Sequence, residues 1–247
     1  NKGLARGIIR LKGKKFMEIE ILQLKEGARK ATGTTIIIDV FRAFSLEAYL
    51  FAQGCKEVRA VYDKQQAYAF KKEHPEYILI GERQGKILPG FDYGNAPSSI
   101  TGKDFSGKTV IHTTTNGTLG IQNASHAADI YVASLVNAKA TVEVIKAHHP
   151  EHISIVCMGW EDRETEEDTL CAQYMRHLFL GEDVKDIQTK ADALRYSEGK
   201  KFFDPLQQDV FPKEDFALCT DVDRFDFAIH AEMHGRIAYN RKEYLHA

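Results

Sequence analysis

Asp39, Glu82 and Glu161 each stand where a β-rich run gives way to polar residues, and each has an arginine close behind: Arg42, Arg83 and Arg163. Thr114, Thr115, Asn116 and Gly117 follow the run TVIHT in the same way, and Ser134 ends DIYVA. Carboxylates offer hard oxygen donors to a divalent cation or accept a proton, and guanidiniums bind oxyanions. Asn116-Gly117 could turn a hairpin, but LGIQNA after it does not alternate like a returning strand, and an Asn-Gly turn that opens a helix would add N–H groups and hydroxyls for an anion. Together these residue types suggest Mg²⁺-assisted chemistry on a phosphate or sulfonate. Each also has a plainer explanation. Asp39 ends a strongly apolar run, where a carboxylate is costly unless paired or metal-bound, but it could serve as a helix N-cap. Glu82 and Arg83 could be an ordinary surface pair, although Gly81 and Gly85 leave the backbone free to approach a ligand. Glu166, Glu167 and Asp168 open a helix, where the macrodipole accommodates negative charge. That explains Glu161 less well, because it lies nearer the strand end.

Elements that could position these groups follow from periodicity. Strands are predicted at Glu18–Leu22, Thr34–Asp39, Glu57–Val61, Tyr77–Ile80, Thr109–Thr113, Asp129–Ala133 and His152–Cys157. Helical patterns lie at Ser45–Gln53, Lys64–Glu73, Asn137–Ala147 and Glu166–Leu178. Near-continuous apolar strands such as TTIIID and ISIVC imply burial on both faces. This alternation predicts an α/β protein, a three-layer α/β/α fold with a mostly parallel or mixed sheet. Ligands in such sheets bind beyond the carboxyl ends of the strands, so the polar residues are expected along one edge. Gly81–Lys108 is a long turn-rich connection, and connections of that kind are usually functional or mobile. The last 50 residues are less periodic and read as a cap on the same domain.

Composition narrows the setting. The chain has 247 residues, 28% charged and 43% hydrophobic, which excludes a disordered chain. No apolar run approaches the roughly 18–20 residues of a membrane span. Four cysteines, none in a C-x-x-C pair, exclude a disulfide scaffold and fit a reducing cytoplasm. Residues 1–16 hold six Lys/Arg and no acid, and are read as a basic extension ahead of a single domain over 17–247. That domain carries 27 basic against 35 acidic residues, which argues against a nucleic-acid partner. Gly102–Thr109 matches the P-loop expression, but a strand follows it where phosphate binding needs a helix. His148, His149 and His152 cluster beside Pro150, away from the expected site edge, and are read as solvated. A homodimer is the default assembly.

Four stretches resemble one family: IIIDVFRAFS (36–45), GERQGKILPGFDYGNAPSS (81–99), GKTVIHTTTNGT (107–118) and CMGWEDRETEEDTLCAQ (157–173). The chain resembles the 2-phosphosulfolactate phosphatases of coenzyme M biosynthesis, the ComB-like proteins. The resemblance implies Mg²⁺-dependent hydrolysis of a small anionic phosphoester, 2-phosphosulfolactate, to sulfolactate and phosphate. It carries over to Asp39, Arg42, Glu82, Arg83, Asp92, Asn95, Asn116, Gly117, Glu161 and Asp168. In the scheme this implies, Asp39, Glu161 and Asp168 hold the metal. Asp39, Glu82 and Arg42 are catalytic, with Glu82 activating water and Arg42 neutralising phosphoryl charge, and Arg83, Asp92, Asn95, Thr115, Asn116 and Gly117 bind substrate. Phe44 and Trp160 depart from the family pattern and are expected to reshape the pocket.

Two other readings compete. A haloacid-dehalogenase-like phosphatase would use Asp39 as nucleophile, but it needs a second Asp where Phe41 stands. A non-catalytic organic-anion-binding protein of the same fold would bind ligand without Mg²⁺-dependent turnover.

Overall fold

In the computed structural model, which describes residues 7–9 and 17–245, the run Gly33–Ile38 is a strand with residues 35–38 buried. The chain opens with β1 (Gly7–Ile9), β2 (Met17–Gln23), α1 (Leu24–Lys30), β3 (Gly33–Ile38), α2 (Ala43–Ala52), β4 (Glu57–Ala60) and α3 (Lys64–Glu73). Next come β5 (Ile78–Arg83), β6 (Lys86–Ile87), α4 (Pro97–Ile100), β7 (Thr109–Thr113), α5 (Gly117–Asn123), β8 (Ala127–Ala133) and α6 (Ala138–Ala147). The remainder is β9 (His152–Cys157), α7 (Glu166–Leu180), α8 (Ile187–Ala193), α9 (Lys213–Thr220), β10 (Ala228–His234) and β11 (Ile237–Glu243).

Alternation along β3 shows the layering. Ile37 packs with residues of α1, α2 and α5, whereas Ile36 and Ile38 pack with residues of α6, α7 and α8. A third cluster puts Leu79 of β5 and Ile111 of β7 with Ala67 and Tyr68 of α3. Helices therefore cover both faces of a mixed sheet, giving the expected three-layer α/β/α architecture.

The sheet order is β1-β2-β9-β3-β8-β10-β11-β4-β7-β5-β6. One half, β2, β9, β3 and β8, is parallel, and so is the other, β4, β7 and β5. Between them lies the antiparallel hairpin β10–β11, which pairs antiparallel with β8 on one side and β4 on the other. This corrects the reading of the last 50 residues as a cap alone: their final hairpin is the middle of the sheet. It also makes the two parallel halves run in opposite senses, so strand direction alone would send their carboxyl ends apart. Helix packing brings the ends together. Gly117, at the start of α5, lies so close to the start of α2 that a Cβ there would stand 2.9 Å from that of Ala43. At Gly120 of α5 a Cβ would meet Ile37 of β3 at 2.8 Å. Three residues of the basic arm, Gly7–Ile9, pair with β2 as an edge strand; the rest of the reading of residues 1–16 lies outside the described residues.

Candidate active site

Where the ends of β3, β5, β7 and β9 meet, a narrow cavity is lined by Asp39, Phe41, Arg42, Glu82, Gly85, Asn95, Thr115, Asn116, Trp160, Lys201 and Phe211. Its volume is about 30 Å³, room for little more than a water molecule or two. Two wider surface concavities, about 470 Å³ beside α7 and α8 and about 680 Å³ beside α8 and α9, contain none of these strand-end residues. The residues whose types suit chemistry line the narrow one.

Asp39 is 7% exposed. Its Oδ1 accepts a hydrogen bond from the Ala43 amide (3.1 Å), so it caps α2 from four residues away. Oδ2 has no hydrogen-bond partner among the described residues and lies against Gly117. Burial pushes the Asp39 carboxyl up to about 6; the Ala43 amide opposes this, and the neighbouring Glu82 carboxylate adds to it. Glu82 is held by three donors: the Thr115 amide (2.7 Å) and hydroxyl (3.2 Å), and the Gly85 amide (2.7 Å). Asn116 donates through Nδ2 to the Gly159 carbonyl at 3.0 Å, tying the end of β7 to the end of β9. Asn95 Oδ1 lies 3.2 Å from Nε2 of His112, whose Nδ1 is 2.8 Å from the buried Glu47. Asn240 of β11 donates to the other Glu47 oxygen at 2.7 Å.

Several predicted residues do not meet at this cavity. Arg83 follows Glu82 on β5, and successive strand residues point to opposite faces. Its guanidinium donates to the carbonyls of Glu82 and Tyr62 (both 2.6 Å) and to Thr113 Oγ1 (3.0 Å), outside the cavity. Asp92 accepts from the Leu79 amide at 2.8 Å and from Lys71 at 3.4 Å, bracing β5 from outside. Glu161 and Asp162, with φ of 52° and 58°, form the exposed tip of a tight turn closed between Trp160 and Arg163. Asp168 is buried, but its two oxygens accept from the amides of Val40 and Gly159 (2.8 Å each), stapling the turns after β3 and β9. Burial drives its carboxyl well above the ordinary range. Arg42 does line the cavity, but its guanidinium is bound to Asp215 at 2.7 Å, with both groups almost fully buried. Phe44 is fully buried beneath α5 and does not reach the cavity, whereas Trp160 does.

Sequence reasoning missed His112, Lys201 and Phe211. A histidine inside the apolar run TVIHT was the available signal for the first. Lys201 belongs to the 3₁₀ turn Glu198–Phe203 and Phe211 to the loop before α9, a region without periodicity to place it.

The donor chemistry bears on Mg²⁺ in two ways. Asp39, Glu161 and Asp168 do not converge, and no group of three His, Cys, Asp or Glu is arranged to hold a metal among the described residues. Mg²⁺, however, usually takes one or two carboxylates and fills its octahedron with water and substrate oxygens. Asp39 Oδ2, with Asn116 Oδ1 left over once Nδ2 is engaged, is a donor set of that kind.

A three-layer α/β fold with an acidic, amide-lined cavity at converging strand ends suits a small polar ligand. A family model described as 2-phosphosulpholactate phosphatase matches residues 20–233. The chain belongs to that family, whose members are phosphoric monoester hydrolases. It is 31% identical over 225 residues to a probable 2-phosphosulfolactate phosphatase of Bacillus subtilis, covering 90% of this chain and 96% of that protein. Proteins given the same description in Caldicellulosiruptor saccharolyticus and Deinococcus radiodurans are 39% and 37% identical. Those matches cover 62% and 59% of this chain, and 64% and 61% of the relatives.

Proposed function

We propose that this chain is a Mg²⁺-dependent phosphatase that hydrolyses 2-phosphosulfolactate, or a closely related acidic phosphomonoester, to the free alcohol and inorganic phosphate. The observation that carries the reading is the meeting of Asp39, Glu82, Asn95 and Asn116 in one cavity, in a chain of this family. Asp39, through Oδ2, and Asn116 would hold Mg²⁺. The ion would supply charge neutralisation on the phosphoryl oxygens. Water forms the new bond to phosphorus as the ester oxygen departs with the bonding electron pair and takes a proton from solvent to become the free alcohol. Glu82 takes the proton from that water, oriented for it by Thr115 and Gly85. Asn95 donates through its Nδ2 to the bound phosphoryl group, and its Oδ1 is fixed by His112. Arg42, already balanced by Asp215, contributes polarity at the cavity wall rather than a free positive charge. The same reading assigns the enzyme to the cytoplasm, in accord with four buried free cysteines, and takes a homodimer as its default assembly. Among the described residues no helix is long and apolar enough to cross a membrane.

The test is phosphate release from a panel of phosphomonoesters that includes 2-phosphosulfolactate, in Mg²⁺ and again in EDTA. Expected is metal-dependent turnover that favours acidic phosphoesters. Folded protein that turns over none of them is not this enzyme.

A further inference from the structure

The cavity has two unlike walls. The ends of β3, β5 and β7 supply Asp39, Glu82, Thr115 and Asn116, and the loop before α4 supplies Asn95, all carboxylate, amide or hydroxyl. Opposite them the turn Glu198–Phe203 and its neighbours supply aromatic rings and one ammonium group. Lys201 Nζ stands 4.4 Å from the ring centre of Trp160, 5.4 Å from Phe211, 5.6 Å from Phe41 and 5.7 Å from Phe202. Aromatic faces stabilise a cation but do not neutralise it. The nearby carboxylates do not complete the task. Glu198 is engaged by both terminal nitrogens of Arg163, at 2.7 and 2.9 Å. Glu167 forms no ion pair with Lys201 among the described residues, and its Oε2 is buried without a hydrogen-bond partner. The other cation of the cavity, Arg42, is neutralised by Asp215. Lys201, which forms no close ion pair among the described residues and is attracted only at longer range by Glu167, Glu198 and Asp39, therefore brings an ammonium group to a cavity whose opposite wall carries the hydrolytic groups.

We infer that Lys201 binds the acidic group of the substrate that is not transferred, a sulfonate or a carboxylate, and so selects phosphoesters that carry a second anion. This rests on the hydrolase reading above. A substrate spanning the cavity presents its phosphoryl group to the strand-end wall and its second acid to Lys201, with the carbon skeleton against Trp160 and Phe211. The aromatic lining excludes water from this ion pair, which strengthens it relative to one in solvent.

The test compares wild type, Lys201→Met and Lys201→Arg on three substrates: 2-phosphosulfolactate, 2-phospholactate, which lacks the sulfonate, and glycerol 2-phosphate, which lacks both acids. Methionine keeps the stem among the rings, and arginine keeps the charge. In Lys201→Met, kcat/KM is expected to fall at least about tenfold more for 2-phosphosulfolactate than for glycerol 2-phosphate, chiefly through KM, with partial rescue in Lys201→Arg. If the extra loss is confined to 2-phosphosulfolactate, the bound group is the sulfonate; if 2-phospholactate shares it, the bound group is the carboxylate. Equal losses on all three substrates would overturn the inference, because they would mean a structural role beside Glu167 or contact with the transferred phosphoryl group. Calorimetric titration of each protein with sulfolactate separates this inference from the hydrolase reading. Sulfolactate binding that weakens at least about tenfold in Lys201→Met upholds the inference even if wild type turns over nothing. Equal affinity in both proteins, or no binding to wild type, overturns it.

Discussion

At the scale of residues, Asp39 is under two opposing demands. It caps α2 through Oδ1, yet it sits buried beside Glu82 with Oδ2 unmatched. Asp39→Asn keeps an oxygen for the Ala43 amide and removes the like-charge repulsion. Turnover is expected to fall by about 10²–10⁴-fold, the range typical of lost general acid–base or ion-positioning groups. The urea midpoint should hold or rise. A variant with near wild-type kcat would remove Asp39 from the mechanism. Gly117 makes a second, steric prediction. An alanine Cβ there would lie 2.9 Å from the Ala43 Cβ and 3.1 Å from both Asp39 Oδ2 and Phe44 Cζ. Overpacking of this kind costs about 1–3 kcal/mol, and here it also displaces the carboxylate. Gly117→Ala should therefore lose stability in urea unfolding and lose activity together. The positions of Asp39, Glu82 and Asn116 were legible because a polar residue after a buried apolar strand is unusual. Arg83 was misplaced because adjacency in sequence is opposition on a strand. Glu161 was misplaced because two consecutive positive φ values turned it outward.

Among the elements, β10–β11 was the least legible, and the reason is chemical. Its strands, AIHAEMH and IAYNRKE, carry His, Glu, Asn and Arg where an interior strand is expected to be apolar. These residues are used as cross-strand clamps. Glu57 of β4 accepts from Arg241 of β11, and Asp129 of β8 from His230 of β10 at 2.6 Å. The hydrogen bond to Asp129 raises the His230 pKa above the ordinary histidine value of 6.5. A histidine raised on folding stabilises fully below its unfolded value, and that contribution is lost as pH rises through the folded value. Wild type should therefore exceed Asp129→Asn in urea midpoint most clearly at about pH 5.5, with the gap narrowing by about pH 9. A constant gap across that range would mean that the pair does not titrate as a unit. The parallel strands were legible because their burial on both faces leaves a continuous β-branched run, and the helix after Asn116 because Asn-Gly was not followed by an alternating return strand.

Considered whole, the molecule presents a cavity smaller than any phosphoester. One wall is regular strand ends; the other is the 3₁₀ turn Glu198–Phe203 and the loop that reaches Phe211. Short 3₁₀ segments hold less hydrogen bonding than strands, so the second wall is the one expected to give way. Amide hydrogen exchange in residues 198–211 should slow on saturation with sulfolactate and phosphate, while β3 and β7 stay unchanged. Slowing confined to the sheet would place the movement elsewhere. The C-terminal region thus supplies both the middle of the sheet and the aromatic wall of the site, neither of which periodicity reveals.

That arrangement constrains how the chain is made. On a ribosome β8 and β4 emerge long before β10 and β11, so two nascent half-sheets wait with bare inner edges facing solvent. Unpaired edges are templates for pairing with other chains. The interval between the emergence of Ala133 and that of Glu243 is the window in which a nascent chain is open to aggregation, and the hairpin that ends it arrives last.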